Sequence, residues 1–274
     1  MSARTSKVLL ITGAVVLFVL LFIAPKLKPA SESEDAEQKQ VTGKVNTSAT
    51  LDVFFTTAQK NLSPEKKTQF DRLQAQKKND SLIAFWDQNK RPDLAAYVTE
   101  EGAKQVSSAE AWFKAGNRYY YAVPFIQDQS EVPVLYQSAL RCFNKGLALD
   151  PKNTDARIML ASCYVEGTAD PMQGVSLLKS IEKTDSNNVK LQLTFAFFSV
   201  KSGQLEKAIV RFKKVLAIDP NYIEAYLHLA DAYEQQGNPS ETINMLEAYC
   251  EKTPDVTAKL EINKYIQQLK QNNN

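Results

Sequence analysis

The pentapeptide LALDP at Leu147–Pro151 recurs as LAIDP at Leu216–Pro220. The longer stretch FNKGLALDPKN aligns with FKKVLAIDPNY 69 residues downstream, which is two periods of about 34 plus one. Gly203 and Gly237 are spaced by 34 as well. A period of this length is typical of helix–turn–helix repeats, in which no single unit can bury its apolar face alone. The sequence therefore predicts an all-α fold, an α-solenoid of stacked helical pairs.

Two successive units near the C-terminus carry the same marks at fixed spacing. They are Phe195, Ala196, Gly203, Ala208, Phe212, Val215 and Pro220 in the first, and Tyr226, Leu229, Ala230, Tyr233, Gly237, Leu246, Tyr249 and Pro254 in the second. This pattern resembles the tetratricopeptide-repeat (TPR) family, with Trp, Leu-Gly and Tyr on one helix and Ala, Phe, Ala and Pro on the next. The resemblance implies a right-handed superhelix whose inner wall is formed mainly by the first helix of each pair.

The bounds of the other segments are predicted from composition and from partial matches to the same repeat pattern. We expect a tail (1–7), a transmembrane anchor (8–25), a flexible linker (26–48), a helical spacer (49–78), a degenerate TPR-like unit (79–107), a TPR with an insertion (108–152), a degenerate TPR (153–187), two regular TPRs (188–221 and 222–254), and a capping helix with a tail (255–274). A capping helix with a polar outer face would close the stack.

The stretch Val8–Ala24 is uncharged and almost wholly apolar. As a helix of 17 residues it would be roughly 26 Å long, enough to cross a bilayer core, and Pro25 ends it. A cleaved signal peptide is the alternative, but its apolar core is usually shorter, and Lys28 fits poorly just before the small Ala30. The pattern predicts an uncleaved N-terminal transmembrane helix.

The orientation of this anchor follows from its flanks. Lys and Arg residues lie on both sides, so their count barely discriminates, but the short N-terminal tail is more easily kept inside. We expect a single-pass protein, in a bacterium one of the inner membrane with its C-terminal domain in the periplasm. The alternative is an organelle-membrane targeting receptor whose TPR domain lies in the cytosol.

Composition argues against several functions. The net charge is only +2 and no basic stripe is present, which disfavours nucleic acid as a partner. There is one histidine, no Gly-rich phosphate loop and no nucleophile elbow, so we expect no enzyme activity, cofactor or metal. The three cysteines are interpreted as small buried residues, although a Cys142–Cys163 bridge stays open in an oxidising compartment.

Projecting the repeat onto the first helices gives a set of inward-facing side chains that the framework does not use. These groove residues are Phe113, Lys114, Asn117, Tyr120, Tyr121, Ile158, Met159, Ser162, Val165, Leu193, Thr194, Phe197, Val200, Lys201, Leu227, His228, Asp231 and Glu234. Many are apolar or aromatic, which is typical of a binding surface. The alternative is a groove filled by the chain's own segments, or by a second copy in a homo-oligomer. The carboxylate clamp known in some members of the family is disfavoured, because only Asn117 and Lys190 occupy matching positions.

An apolar insertion within Tyr120–Leu135 is the second candidate surface. Either Tyr120–Ile126 extends the helix and packs on a neighbour, or the loop presents Phe125, Ile126, Val132 and Val134 to a partner. The leading hypothesis is a membrane-anchored scaffold that binds a protein or peptide segment in its groove during cell-envelope assembly or complex biogenesis. Self-assembly as a structural protein is a further alternative.

Overall fold

The computed structural model describes residues 47–106 and 108–272. Thirteen α-helices and two short 3₁₀ turns are found in these residues, and no strand. In chain order the helices are α1 (Thr47–Lys60), α2 (Pro64–Ala75), α3 (Asn79–Gln88), α4 (Pro92–Ala103), α5 (Ala109–Ala122), α6 (Val132–Leu149), α7 (Thr154–Gly167), α8 (Pro171–Glu182), α9 (Val189–Lys201), α10 (Leu205–Ile218), α11 (Glu224–Gln235), α12 (Pro239–Lys252) and α13 (Val256–Asn272).

Several helices begin at a polar cap that the sequence supplies. The side chains of Asn153, Asn188 and Asn238 each accept a hydrogen bond from the backbone N–H three residues on, at 2.9, 3.0 and 3.2 Å. Such caps satisfy donors that the first helical turn leaves without partners. Ser63 caps α2 in the same way, with Pro64 as its first residue, as the sequence indicates. The caps at Asn153 and Asn188 mark where two of the repeats begin.

The helices form five consecutive pairs, α3–α4 through α11–α12, and each helix packs on its neighbours along the chain. Gly203 and Gly237 have φ of 72° and 74° in the turns inside the last two pairs. An L side chain is strained in this region, which explains glycine at these two repeat positions. The all-α solenoid predicted from the period is confirmed.

The largest core cluster packs the second pair against α1, α4 and α7, and it includes the buried Tyr119, Leu135 and Phe143. A buried polar network joins α4 to the second pair. Glu100 of α4 accepts hydrogen bonds from Arg141 Nη2 of α6 at 2.7 Å and from Tyr119 Oη of α5 at 2.8 Å. Burial and this carboxylate together raise the pKa of Tyr119, so its hydroxyl stays a donor.

The two helices before the repeats lie at one end and on one side of the stack. α1 packs against α4 and α6, which are second helices of their pairs, with Leu51 buried in the main core cluster. Tyr97 of α4 donates a hydrogen bond to Asp52 at 2.5 Å. α2 packs on α3 through Phe70, which lies 5.5 Å from the Trp86 ring. These helices therefore do not fill the groove along the first helices.

The insertion combines the two alternatives that the sequence left open. α5 continues to Ala122 and a 3₁₀ turn follows through Phe125. Ile126 and Val134 are buried in the main core cluster, which corrects their assignment to a presented loop surface. Val132 is partly buried against the same cluster. Only Phe125, 69% exposed, is available to a partner.

The C-terminal helix α13 packs on α12 through Ala258, Ile262 and Ile266, as expected of a cap. Its outer face is less polar than predicted, because Val256 and Leu260 are exposed.

The predicted membrane anchor belongs to a part of the chain that the structure does not describe. The apolar stretch Val8–Ala24 lies outside the described residues, as do the N-terminal tail and most of the linker. In residues 47–106 and 108–272, no helix has both the length and the apolarity needed to cross a membrane.

All three cysteines are buried and free in this structure. Burial raises the pKa of the Cys142 and Cys163 thiols, so both are protonated and poor nucleophiles at neutral pH.

Candidate functional site: the groove along the first helices

The groove is the surface formed by α5, α7, α9 and α11, and consecutive members α5–α7 and α7–α9 are in contact. Its predicted residues fall into three groups. Lys114, Tyr121, Phe197 and Lys201 are exposed. Those that are partly exposed are Phe113, Asn117, Tyr120, Val165, Leu193, Thr194, Val200, His228, Asp231 and Glu234.

The third group corrects the sequence prediction. Ile158, Met159, Ser162 and Leu227 are buried and so are not part of an accessible groove surface. Ile158 and Leu227 belong to core clusters, and the Ser162 hydroxyl bonds to the Ile158 carbonyl at 3.1 Å. The reason is that α7 and α11 pack closely on the neighbouring pairs, so positions that face inward on a helical wheel are covered by the next helix.

Phe113 has a structural role that the sequence analysis missed. A Cβ placed on Gly146 would lie 2.3 Å from Phe113 Cε1, so the ring occupies the space that the family's usual alanine fills at this position. The aromatic ring on the first helix and the glycine on the second are thus complementary in shape. Phe113 contributes more to packing α5 on α6 than to the groove surface.

A depression of about 460 Å³ lies at the N-terminal end of the groove. It is lined by Phe113, Lys114, Asn117, Arg118 and Tyr121, among others. Arg118 forms an ion pair with Asp87 of α3 at 3.2 Å, and Tyr121 is 59% exposed. The depression therefore joins an aromatic edge to cationic and amide donors.

Ion pairs connect the middle of the groove in a regular way. Lys190 of α9 pairs with Asp155 of α7 at 3.2 Å, and Lys201 pairs with Glu166 at 3.0 Å. Each lysine lies 35 residues after its acid, so the two pairs join equivalent positions of successive units. Pairs at such exposed positions contribute little stability, but they fix the charges of this wall.

Glu166 is a groove residue that the sequence analysis missed. Besides Lys201, it accepts a hydrogen bond from Tyr120 Oη at 2.5 Å. Burial and this carboxylate raise the pKa of Tyr120. Its position one unit before Lys201 was the signal that could have identified it.

The C-terminal part of the groove contains a cluster of three rings. Phe197 lies edge-on to His228 with 4.8 Å between ring centroids, and His228 stacks on Phe212 at 5.2 Å. Burial lowers the pKa of His228 to about 4, so the imidazole is neutral at pH 7. Phe197 remains 44% exposed above this cluster. A half-exposed ring held by two others is a preorganised apolar contact.

Several charged side chains of the groove are held by partners. Lys190 and Lys201 pair with Asp155 and Glu166, Asp231 accepts a hydrogen bond from Gln235, and Glu234 accepts one from Tyr265. Within the part of the chain that the structure describes, no three His, Cys, Asp or Glu side chains are grouped so as to hold a metal ion. This arrangement is suited to binding a chain segment.

Comparison with known proteins agrees with the repeat marks. The TPR repeat profile matches residues 200–237, and the tetratricopeptide repeat profile matches residues 224–255. Residues 200–255 of this chain thus carry tetratricopeptide repeats. Both matches fall on the two regular units, and the three helical pairs before them lie outside these matches.

Relatives outside these profiles are distant. Superkiller protein 3 of Schizosaccharomyces pombe is 29% identical over 106 residues, which are 36% of this chain and 8% of that protein. The chain thus spans less than a tenth of this relative.

Solved structures with similar folds include TTC0263, a thermophilic TPR protein in Thermus thermophilus, at 19% identity. The match covers 69% of this chain and 95% of TTC0263, with a TM-score of 0.49. YrrB, a TPR protein with an unusual peptide-binding site, is 22% identical, covering 77% of this chain and 97% of YrrB with a TM-score of 0.41.

Proposed function

We propose that this TPR protein is a membrane-anchored, non-catalytic scaffold that binds a protein or peptide segment in the groove along its first helices. One observation carries the proposal. Phe197 and Tyr121 expose 44% and 59% of their surface on the groove, although the repeat framework is already packed without them. Large exposed apolar groups on a rigid concave surface are typical of interaction sites.

The binding mode follows from what surrounds these rings. Apolar side chains of the partner would cover Phe197 and Tyr121, and partner carbonyls would accept hydrogen bonds from Asn117 and Lys114 in the depression. The helices that form the wall are held by buried packing on both sides, so little ordering entropy is lost on binding.

A site-specific crosslinking experiment tests the groove. Photoreactive phenylalanine analogues would replace Phe197 or Tyr121 in the full chain, and a matched control would carry the analogue at Val210 of α10. Val210 is 65% exposed but lies on a second helix. We expect the same partner protein to be captured from positions 197 and 121 and not from 210. Equal capture from all three positions, or none from the groove, would refute the assignment.

The membrane anchor is the second element of the proposal, and the apolar, uncharged stretch Val8–Ala24 supports it. Deleting residues 8–24 should release the protein from the membrane fraction after washing with carbonate. A protein that is equally soluble with and without this stretch would contradict the anchor.

The compartment is the third element. We propose that the repeats lie on the far side of the membrane, which in a bacterium is the periplasm, with a role in cell-envelope assembly or complex biogenesis. Protease added to intact cells should leave the repeats uncut and should cut them once the outer barrier is opened. Repeats that face the cytosol of a bacterium would be cut only after the anchoring membrane is opened. Repeats on the surface of isolated organelles would be cut at once. Either result would favour the targeting receptor.

A further inference from the structure

The exposed surface of the second helices α8 and α10 carries a concentration of positive charge. Residues 171–183 and 205–218 contain six lysine or arginine residues and two carboxylates. One of the two acids, Glu206, accepts a hydrogen bond from Gln236 at 2.9 Å, on the side of α10 toward the next unit. The other acid, Glu182, pairs with Arg211 and so joins α8 to α10.

The exposed side chains of each helix lie on one face. On α8 they are spaced by four, three and four residues, and they are Met172, Ser176, Lys179 and Lys183. The helical backbone continues through Lys183, whose φ is −63° and ψ −27°. On α10 the spacing is three and four residues, and the exposed or partly exposed side chains are Lys207, Val210 and Lys214. Both faces therefore combine lysines with an exposed apolar residue.

The two faces meet around Glu182. Its pKa is lowered, first by the hydrogen bond from Arg211 and also by the charge of Lys214. Lys214 of α10 therefore lies near the C-terminal end of α8, where Lys183 directly follows Glu182. Within residues 47–106 and 108–272, no carboxylate forms an ion pair with Lys179, Lys183 or Lys214. We call the surface formed by these three lysines and Lys207 the lysine surface.

Neighbouring elements do not reverse this balance. Asp185 and Asp219 lie in the turns after α8 and α10, and each accepts a hydrogen bond within its own turn. Even with these two acids counted, cations outnumber carboxylates in residues 171–188 and 205–221. Glu241 of α12 acts on Lys213, which lies on the side of α10 toward α11. On the other side of α8, Arg157 of α7 adds a further cation. The lysine surface is therefore net positive.

The chain ahead of Thr47 carries the complementary charge. Residues 29–38, PASESEDAEQ, contain four carboxylates and no lysine or arginine. These four are the only Asp and Glu residues before Thr47, and they are Glu32, Glu34, Asp35 and Glu37. We call residues 29–38 the acidic segment; it lies outside the described residues.

The acidic segment is close enough along the chain to reach the lysine surface. The chain enters the array on the side of the second helices, because α1 packs against α4 and α6. Packed helices are about 8–10 Å apart, so α10, two units after α6, is roughly 20 Å from it. The ten residues from Glu37 to Thr47 span at most about 33–36 Å. Since both groups belong to one chain, their effective concentration is on the order of millimolar.

We propose that the acidic segment binds the lysine surface of its own chain. Complementary charge and the short distance along the chain select this occupant. Ion pairs at exposed positions are individually weak, so a pull on the chain releases this contact before it loads α1. The contact lies on the second helices and not on the groove, so it holds or fails independently of the proposed function. In an anchored protein only residues 25–31 would separate the anchor from the array, which would turn the second helices toward the membrane and the groove away from it.

Zero-length crosslinking of the full chain, kept in mild nonionic detergent, tests this contact. A water-soluble carbodiimide joins a carboxylate to an amine as an amide with loss of water, so it links only groups that already touch. We expect peptides of the acidic segment to be linked to the lysine surface at about 50 mM salt, and about fivefold fewer links at about 500 mM. Mass spectrometry of mixed ordinary and nitrogen-15-labelled chains distinguishes links within one chain from links between two.

Acetylation of lysine amines measures the same contact without a crosslink. A variant of the acidic segment removes its four charges by Glu32→Gln, Glu34→Gln, Asp35→Asn and Glu37→Gln. Acetylation of the lysine surface should become about two- to fivefold faster in this variant, while the exposed Lys66 of α2 should be unchanged. The matched control removes four exposed carboxylates on other helices, by Glu110→Gln, Glu224→Gln, Glu251→Gln and Glu261→Gln, and should leave the lysine surface unchanged. Circular dichroism confirms that each variant is folded.

Four results would overturn the proposal. Links to Lys66, Lys77 or Lys78 as frequent as those to the lysine surface would show a nonspecific contact. Links between labelled and ordinary chains would make a second copy the occupant. Unchanged acetylation in the acidic-segment variant would show that the segment does not cover these lysines. Protection that arises only in nanodiscs of phosphatidylglycerol, and not in phosphatidylcholine or detergent, would make an anionic membrane the occupant.

Discussion

Replacing Gly146 by alanine tests how the repeat with the insertion is packed. The new Cβ would lie 2.3 Å from Cε1 and 2.5 Å from Cδ1 of Phe113, whereas carbon atoms prefer roughly 3.5–4.0 Å. The ring must therefore move by about 1 Å or more, toward the groove. Overpacking of this kind costs about 2 kcal/mol, and alanine in a helix interior returns about 1 kcal/mol over glycine. We expect a net loss of about 1 kcal/mol.

The effect of the same substitution should reverse when the ring is absent. In a Phe113→Ala background the Cβ no longer meets the ring, and its remaining close neighbour is the Ala109 carbonyl oxygen at 3.2 Å. Gly146→Ala should then stabilise the protein through its helix propensity, by up to about 1 kcal/mol. The double-mutant cycle then gives a coupling energy of about 2 kcal/mol between the two residues. Phe113→Ala alone is destabilising, but the cycle subtracts that cost.

Equilibrium urea unfolding followed by tryptophan fluorescence measures this cycle. Trp112 is next to Phe113, and its ring lies under Lys145 Nζ at 4.4 Å from the ring centroid, so it reports on this interface. The matched control is Gly174→Ala, whose Cβ would lie 2.3 Å from the carbonyl oxygen of Ala161. Backbone cannot swing aside, so that cost should be the same with and without Phe113. The reasoning is refuted if Gly146→Ala costs the same in both backgrounds.

Three further predictions concern stability and reactivity. Glu100→Gln should destabilise the first two pairs by about 3 kcal/mol, because it leaves Arg141 without its buried carboxylate. Urea unfolding measures this loss. A loss below about 0.5 kcal/mol would contradict a stabilising role for the network. The pKa of His228 is about 4 in the folded protein, below its unfolded value of about 6.5, so the unfolded state takes up the proton first as the pH falls. The free energy of unfolding of the unchanged protein should therefore fall between pH 6.5 and pH 4, by up to about 3 kcal/mol. His228→Phe should remove this part of the pH dependence. Unfolding midpoints of both proteins between pH 7 and pH 4 check the sign, and parallel profiles would contradict it. The three buried thiols should react with Ellman's reagent only after unfolding. Rapid reaction of the native protein would show that the helices that hold them open locally.

The repeat framework could be predicted because its constraints are local. Gly203 and Gly237 mark turns that need a positive φ, and small residues such as Ala196 and Ala230 mark places where two helices meet. The need for glycine or a small residue at these positions arises within one repeat unit, so a single sequence is enough to recognise them. The order of the helical pairs follows directly from the period.

The groove surface could be predicted only in part, because it depends on the distance between units. A helical wheel gives the direction of Ile158 and Leu227 correctly but says nothing about how near the adjacent helix comes, and both are buried. Glu166 was missed because its role depends on contacts with Tyr120 and Lys201, which belong to other units. The match between Phe113 and Gly146 joins two helices across the insertion, which no pattern within one helix could show.

The way α1 is attached has a mechanical consequence. Any pull on the chain ahead of Thr47 enters the array through α1, and Leu51, together with the Tyr97–Asp52 hydrogen bond, transmits it to α4 and α6. The load therefore acts on the sides of two second helices, α4 and α6, through their contacts with α1. Tension on the N-terminal side of the chain therefore does not act directly on α9 and α11. A tethered array can be under load without a change in the groove surface that these two helices form.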